Sequence, residues 1–341
     1  MNGKQRIDSV LKGEWPDRRP VLLHNFLMAA KEFGVTMKQY REDPVVIAKS
    51  HIAAIEKYDL DGALIDIDTS TLAEAVGVSV DYPENSPART HKPLLYSLEM
   101  VNDLEYVDIS KNQRVQIWLE ACNMIKKHFG NEKYIRGNCD QAAFSLASIM
   151  RSPEEWMTDL LMEDELVFKL LDFCTEATCQ FIRLMAQTDV DMVSNGDSFA
   201  GPEMIPPEMY QKYALPYEKK IVEEAHKSNK PYLLHICGNT DLILSEMLET
   251  KADVLELDYK TNIQLVYDLC KKENVTFTGN IDPSGVLAFG TPKMVEEKTK
   301  EILTIFRNNP RLIMNAGCAI PAETPSENIL KLVEVTRYYE V

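Results

Sequence analysis

A (β/α)8 barrel is the fold this sequence predicts, on three observations. Eight short apolar runs recur along the 341 residues, each run ends in polar or metal-grade residues, and amphipathic helical patterns separate them. Alternating strand and helix signals mean a parallel sheet. Eight such units let the first and last strands pair and close. A doubly wound open sheet is the alternative. No G-x-G-x-x-G follows the first strand, so its dinucleotide-binding form has no support.

The strand candidates are PVLLHN (20–25), GALIDID (62–68), YIRGNCD (134–140), DMVSNGD (191–197), PYLLHIC (231–237), DVLELD (253–258), TFTGNID (276–282) and RLIMNAGC (311–318). Helical patterns fall at 44–58, 154–187 (two helices), 207–228, 240–250, 262–273, 292–307 and 325–339. Asn239, Thr240 and Asp241 are expected to cap the helix after the fifth strand, and Thr324 to cap the last helix with Pro325 in its first turn. An amphipathic segment at 2–13 is expected to close the bottom of the barrel. Residues 69–112 break the repeat with the proline-spaced stretch DYPENSPARTHKP and read as an excursion between strands two and three, over the pocket. No Gly- or Ser-rich linker divides the chain, so one domain spanning 1–341 is expected.

Composition bounds the function. The hydrophobic content of 45% supports an ample core, and no run of about 18 apolar residues predicts a membrane span. The start is polar, without an apolar signal-peptide core, so a cytoplasmic protein is expected. A net charge of −16 repels nucleic acid and acidic membranes. Seven scattered cysteines argue for free thiols or metal ligands rather than disulfides. The oligomeric state stays open, a homo-oligomer included.

In this fold the active site lies at the C-terminal ends of the strands. Carboxylates, amides and thiols gather there, where burying them unpaired would cost roughly 1–3 kcal/mol each. His235 and Cys237 are two apart on one strand, so both reach one point. With Cys318 as a third soft ligand they make a zinc site with one open position. The competing reading of these residues is a packed histidine and inert buried cysteines. Asp197, ending N-G-D before a Ser-Phe-Ala-Gly loop, is the candidate acid. Asn25, Asn138, Asp140, Asp258, Asn280 and Asp282 are candidate substrate-binding residues, and for Asp282 before Pro283 capping competes with chemistry. Glu256 or Asp258 is a candidate to orient His235.

Four stretches carry a family resemblance: MIPPEMYQKYALPYEKKI (204–221), LLHICGNTDLIL (233–244), TFTGNIDPSGVLAFGTP (276–292) and NAGCAIPAETPSENI (315–329). Through them the chain resembles the uroporphyrinogen decarboxylase superfamily, and within it the corrinoid-dependent methyltransferases, over nearly its whole length. That branch includes methylcobalamin:coenzyme M methyltransferases and the methyl-donor components of O-demethylase systems. The resemblance implies a (β/α)8 barrel and a zinc ion on His235, Cys237 and Cys318. The resting fourth ligand would be water, a backbone group or a carboxylate such as Glu323.

Two departures sharpen it. The arginine motif with which the decarboxylases hold propionates is missing, since no arginine lies between Arg19 and Arg41. The chain also lacks the D-x-H-x-x-G of cobalamin-binding modules, so the corrinoid (cobalamin) must arrive on a separate protein. The expected reaction is methyl transfer between a small methylated substrate, such as an aryl methyl ether, and that cobalt. Methylation of a small thiol by methylcobalamin is the alternative, with a decarboxylase-like enzyme or a non-catalytic scaffold behind it.

Overall fold

Inward-facing side chains two residues apart on eight parallel strands organise this molecule. The computed structural model describes residues 1–162 and 165–339. The strands are β1 (Leu22–Leu23), β2 (Gly62–Ile65), β3 (Tyr134–Gln141), β4 (Met192–Gly196), β5 (Tyr232–Ile236), β6 (Val254–Leu257), β7 (Thr276–Ile281) and β8 (Leu312–Ala316). They pair in that order, all in parallel. A bridge between Val21 and Met314 joins β1 to β8, and Met314 N–H donates to Pro20 O at 2.9 Å. The sheet is thus a closed barrel with no free edge.

The strand phase sets two layers inside it. At the N-terminal end Leu22, Leu64, Tyr134, Met192, Leu233, Val254 and Ile313 form one apolar cluster. The helix Gly3–Lys12 plugs that end, adding Ile7 and Val10. Thr276 of β7 completes the ring, its hydroxyl donating to Val10 O at 3.4 Å. Asn2 caps this helix in a box with Gln5, and Gly13 ends it at φ 77°, a conformation glycine adopts without strain. Two residues further along each strand stand His24, Asp66, Arg136, Ser194, His235, Glu256, Thr278 and Asn315. All eight are polar and buried.

The helix Pro44–Tyr58 is where the sequence puts it, capped by Asp43 on Val45 N–H at 2.8 Å. Other boundaries move for local reasons. The single helix expected over 207–228 is two, Pro207–Tyr213 and Leu215–Lys227, because Pro216 lacks an N–H and sits in the first turn of the second. The segment expected at 240–250 narrows to Leu244–Glu249. Asn239 accepts from Asp241 N–H in a turn instead of capping it. Pro325, not Thr324, occupies the cap position of Ser326–Tyr338 and makes no side-chain cap bond.

Helices Pro153–Met162 and Glu165–Ala186 fill the segment expected to hold two, residues 163 and 164 lying outside the described ones. The excursion after β2 carries a helix (Thr71–Ala75), a hairpin pairing Val80–Asp81 with Arg89–Thr90, and two 3-10 turns. Among the described residues no helix is long and apolar enough to cross a membrane.

Candidate metal and substrate site

Leu233, His235 and Cys237 share one face of β5, so the alternation that puts Leu233 in the apolar layer turns both ligand candidates into the barrel. Cys318 arrives from beyond β8 through Gly317. A Cβ on Gly317 would sit 2.8 Å from Tyr259 N and 3.0 Å from Asp258 Cα, so only glycine permits this approach. His235 Nε2 then lies 2.9 Å from Cys237 Sγ, and the two sulfurs are 3.4 Å apart. All three donor atoms fall within 4.8 Å of one another. Tetrahedral zinc with Zn–S of about 2.3 Å and Zn–N of about 2.0–2.1 Å has ligand edges of roughly 3.5–3.8 Å. The two close contacts are a little shorter than those edges, and the N,S,S donor set is one zinc takes.

A buried ionic girdle orients the cluster. His235 Nδ1 faces Glu256 O at 3.1 Å and Glu256 Oε1 at 3.3 Å, leaving Nε2 for the sulfurs. Glu256 is paired in turn with Arg136, both nearly inaccessible, and accepts from Asn315 Nδ2 at 3.0 Å. Arg136 also donates from Nε to Ser194 Oγ at 2.8 Å. Burial works against the Glu256 charge, but Arg136 and His235 hold its carboxyl at about 2.

The thiols titrate apart. A hydrogen bond from Cys318 is the largest influence on Cys237 and, with His235, overrides burial to hold its thiol at about 3. Cys318 is pushed well above its ordinary value by the same bond and by burial. Burial opposes protonation of His235, while the Cys237 thiolate raises it to about 9. The close approach of the three groups thus favours the thiolate form of Cys237.

A cavity of about 220 Å³ lies against this cluster. His24, Asp66, Asp68, Asn138 and Asp140 line it with the cluster, and Phe26, Leu27 and Pro87 give it an apolar side. Pro87, like Thr69, comes from the excursion. His24 Nε2 meets Asp66 Oδ2 at 2.7 Å, and the Asp66 carbonyl accepts from Tyr40 OH at 2.7 Å. Asp140 sits at φ 62° where β3 shifts register against β4 between Asn138 and Gln141. Aspartate tolerates that left-handed conformation better than most residues, and it turns the Asp140 carboxylate to accept from Leu72 N–H at 2.7 Å.

The other predicted site residues stand elsewhere. Asp197 is fully buried behind the cavity wall, accepting from Ser145 N–H at 2.7 Å. Burial pushes its carboxyl up to about 6, against the Ser145 bond. Asn280 and Asp282 line a separate cavity with Tyr259 and Lys298 on the outer side of β7. Asn280 donates to Asp258 O at 3.2 Å, and Asp282 caps the turn at Pro283 through Ser284 and Gly285 N–H, both at 2.9 Å. Asp258 accepts from Lys260 N–H at 3.0 Å. Asn25 is buried at the start of helix Phe26–Glu32 with neither amide atom partnered in the protein. Glu323 is exposed and pairs with Lys31.

Sequence reasoning missed His24, Arg136, Ser194 and Ser198. The signal for the first three was phase: each lies two residues beyond an apolar-layer residue on its own strand. His24, not Asn25, is in line with Leu22. Ser198 has no such signal, because its bond to Cys237 comes from a loop.

Comparison with known proteins bears on the family and the fold. The uroporphyrinogen decarboxylase (URO-D) family profile matches residues 2–339. The chain belongs to the uroporphyrinogen decarboxylase family. Within that family it falls in the branch of corrinoid-dependent methyltransferases. A methylcobamide:CoM methyltransferase of Methanosarcina acetivorans is 28% identical over 99% of this chain and 98% of its own length. A uroporphyrinogen decarboxylase of Parasynechococcus marenigrum is 26% identical over 93% of this chain and 91% of its own. A solved methyltransferase structure from Methanosarcina mazei superposes with a TM-score of 0.90, covering 98% of both chains at 22% identity, which establishes the fold.

Proposed function

We propose that this member of the family is a zinc-containing enzyme that moves a methyl group from a small methylated substrate, an aryl methyl ether or a compound like it, to the cobalt of a corrinoid on a separate protein. The convergence of His235 Nε2, Cys237 Sγ and Cys318 Sγ beside the cavity carries this reading. Zinc held there would supply Lewis acidity toward a substrate heteroatom. The protein's own part is to fix those ligands: Glu256 sets the His235 ring, Arg136 and Asn315 set Glu256, and Ser198 donates to Cys237. Asp197 holds the start of the Ser198 turn, its N–H donating to His235 O at 2.8 Å and its carboxylate bonded to Ser145. Phe26, Leu27 and Pro87 offer an apolar wall for an aryl group. In the transfer the carbon–oxygen bond breaks and a carbon–cobalt bond forms. Cob(I)alamin on the partner would provide the electron pair, and the departing oxygen would leave as the alkoxide or phenoxide and take its proton from solvent water.

The reverse use of the site, methylation of a thiol by methyl-cobalt, is favoured by the relatives named for coenzyme M. The lack of a free arginine in the cavity counts against so anionic an acceptor. Its lining holds Asp66, Asp68, Asp140 and Glu256, while its one guanidinium, Arg136, is already committed to Glu256 and Ser194. The same absence of a free arginine weighs against a polycarboxylate porphyrinogen.

Metal content decides the reading first. We expect about one zinc per chain, and a Cys318→Ser variant that keeps its circular dichroism but loses zinc and activity. A metal-replete, fully active variant would remove Cys318 from the site. Supplying either methoxyarenes with cob(I)alamin or small thiols with methylcobalamin then fixes the direction.

A further inference from the structure

Behind the cavity wall two acidic side chains meet away from water. Asp197 follows β4 and is 0% exposed; Glu218 stands on the helix Leu215–Lys227 and is 1% exposed. Asp197 Oδ1 accepts from Ser145 N–H at 2.7 Å, and Glu218 Oε2 accepts from Tyr210 OH at 2.5 Å. Each carboxyl has one oxygen left, Asp197 Oδ2 and Glu218 Oε1, that no N–H or O–H of another residue reaches. The two side chains bond to each other instead. Two bare carboxylates repel and cannot make that bond, so one proton lies between them. Burial, then the charge of Asp197, pushes the Glu218 carboxyl well above its usual range, so Glu218 carries the proton. A carboxyl that donates to a carboxylate makes one of the stronger hydrogen bonds.

That bond anchors a short turn against the metal ligands. Asp197 N–H donates to His235 O at 2.8 Å, and Phe199 N–H donates to Ser145 Oγ at 3.1 Å. Between them Ser198 bonds to Cys237. We propose that Glu218, on a helix outside the barrel, is a positioning residue for the metal site: by sharing one proton with Asp197 it fixes the turn that sets Ser198 on Cys237. This rests on reading His235, Cys237 and Cys318 as the metal ligands. The acid pair stands behind those ligands and acts through them.

The test is a double-mutant cycle at fixed pH, read by zinc affinity in competition with a chromophoric chelator and by urea unfolding. Asp197→Asn offers an amide N–H to Glu218, and Glu218→Gln offers one to Asp197. Either single variant thus replaces the shared proton with an amide hydrogen and keeps one negative charge. The double variant sets donor against donor. Turning either amide over puts an N–H against Ser145 N–H or takes the acceptor from the Tyr210 hydroxyl. We expect each single variant to stay within about 2-fold of the parent in zinc affinity, and the double to be about 10-fold weaker with an earlier urea midpoint. In a Ser198→Ala background the same two changes should cost no further affinity, whereas a merely structural role would cost as much there. A double variant that matches the singles, a single variant as weak as the double, or an equal loss with and without Ser198 would overturn the proposal. Should the double variant not fold, Glu218→Gln and Glu218→Met decide: the glutamine must hold zinc like the parent, and the methionine must not. A parent chain that takes up no zinc would sink the metal reading and the positioning role with it, while the urea cycle still decides whether the proton is shared.

Discussion

The two inner layers of the barrel come from the same eight strands, two residues apart, and hold opposite chemistry. The lower one is an apolar ring plugged by Ile7 and Val10. The upper one is eight buried polar side chains, most of them tied together through Arg136, Glu256, Asn315 and Ser194. Burying a Leu, Ile or Val side chain contributes about 1.5–3 kcal/mol. A buried ion pair repays little beyond its own desolvation. The lower layer therefore holds the barrel together, and the upper one spends no comparable stability to hold His235 in place.

Breaking the upper layer on one side should produce the largest effect. Arg136→Met leaves Glu256 buried without its main partner, and we expect a loss of about 3–5 kcal/mol in urea unfolding. The double variant Arg136→Met, Glu256→Leu should recover most of that stability while failing to retain zinc. If the single variant unfolds like the parent, the girdle is not the coupled unit described.

The upper layer also has an outer support. Tyr40 OH donates to Asp66 O and sits 2.8 Å from His51 Nε2, so His51 donates from that nitrogen. Burial lowers the His51 pKa to about 4, Asp66 opposing. The unfolded chain then binds the extra proton first as pH falls. Stability from this group is complete above about pH 6.5 and drains away as pH drops toward 4, by about 3 kcal/mol in all. Chemical denaturation at a series of pH values should show that fall, and His51→Phe should flatten it.

These contrasts explain what could be read in advance. The barrel was legible because alternation and strand count are local, repeated signals. His235 and Cys237 were legible because they share a strand, whereas nothing local ties Cys318 to them, and its place in the set gained weight from the family resemblance. Arg136 sat unread inside YIRGNC because a charge in an apolar run looks like noise until its partner, Glu256, is known to lie three strands away. Asn280 and Asp282 sit at strand ends as expected, but their side chains bond to neighbouring turns, and strand position alone does not tell an inward group from a cap.

The lower layer offers the complementary test. Ile7→Ala removes a fully buried side chain from the plug, and we expect about 2–3 kcal/mol of destabilisation. Zinc content and activity per folded molecule should not change, because no residue of the plug touches the girdle. A drop in metal affinity would show that the two layers are coupled through the strands.

The smallest effect should come from a group outside both layers. Ser198 reaches Cys237 from the loop after β4, and its hydroxyl helps to hold the thiolate. It is only half-buried, so water can replace part of that bond. Partners of metal ligands are worth 10–100-fold in affinity, and a partly solvated hydroxyl belongs at the low end. Ser198→Ala should weaken zinc binding about 10-fold in competition with a chromophoric chelator, with unfolding unchanged within about 0.5 kcal/mol. An unaltered affinity would mean that the strand-borne girdle alone sets the site, and that the loops around the mouth are free to vary with the substrate.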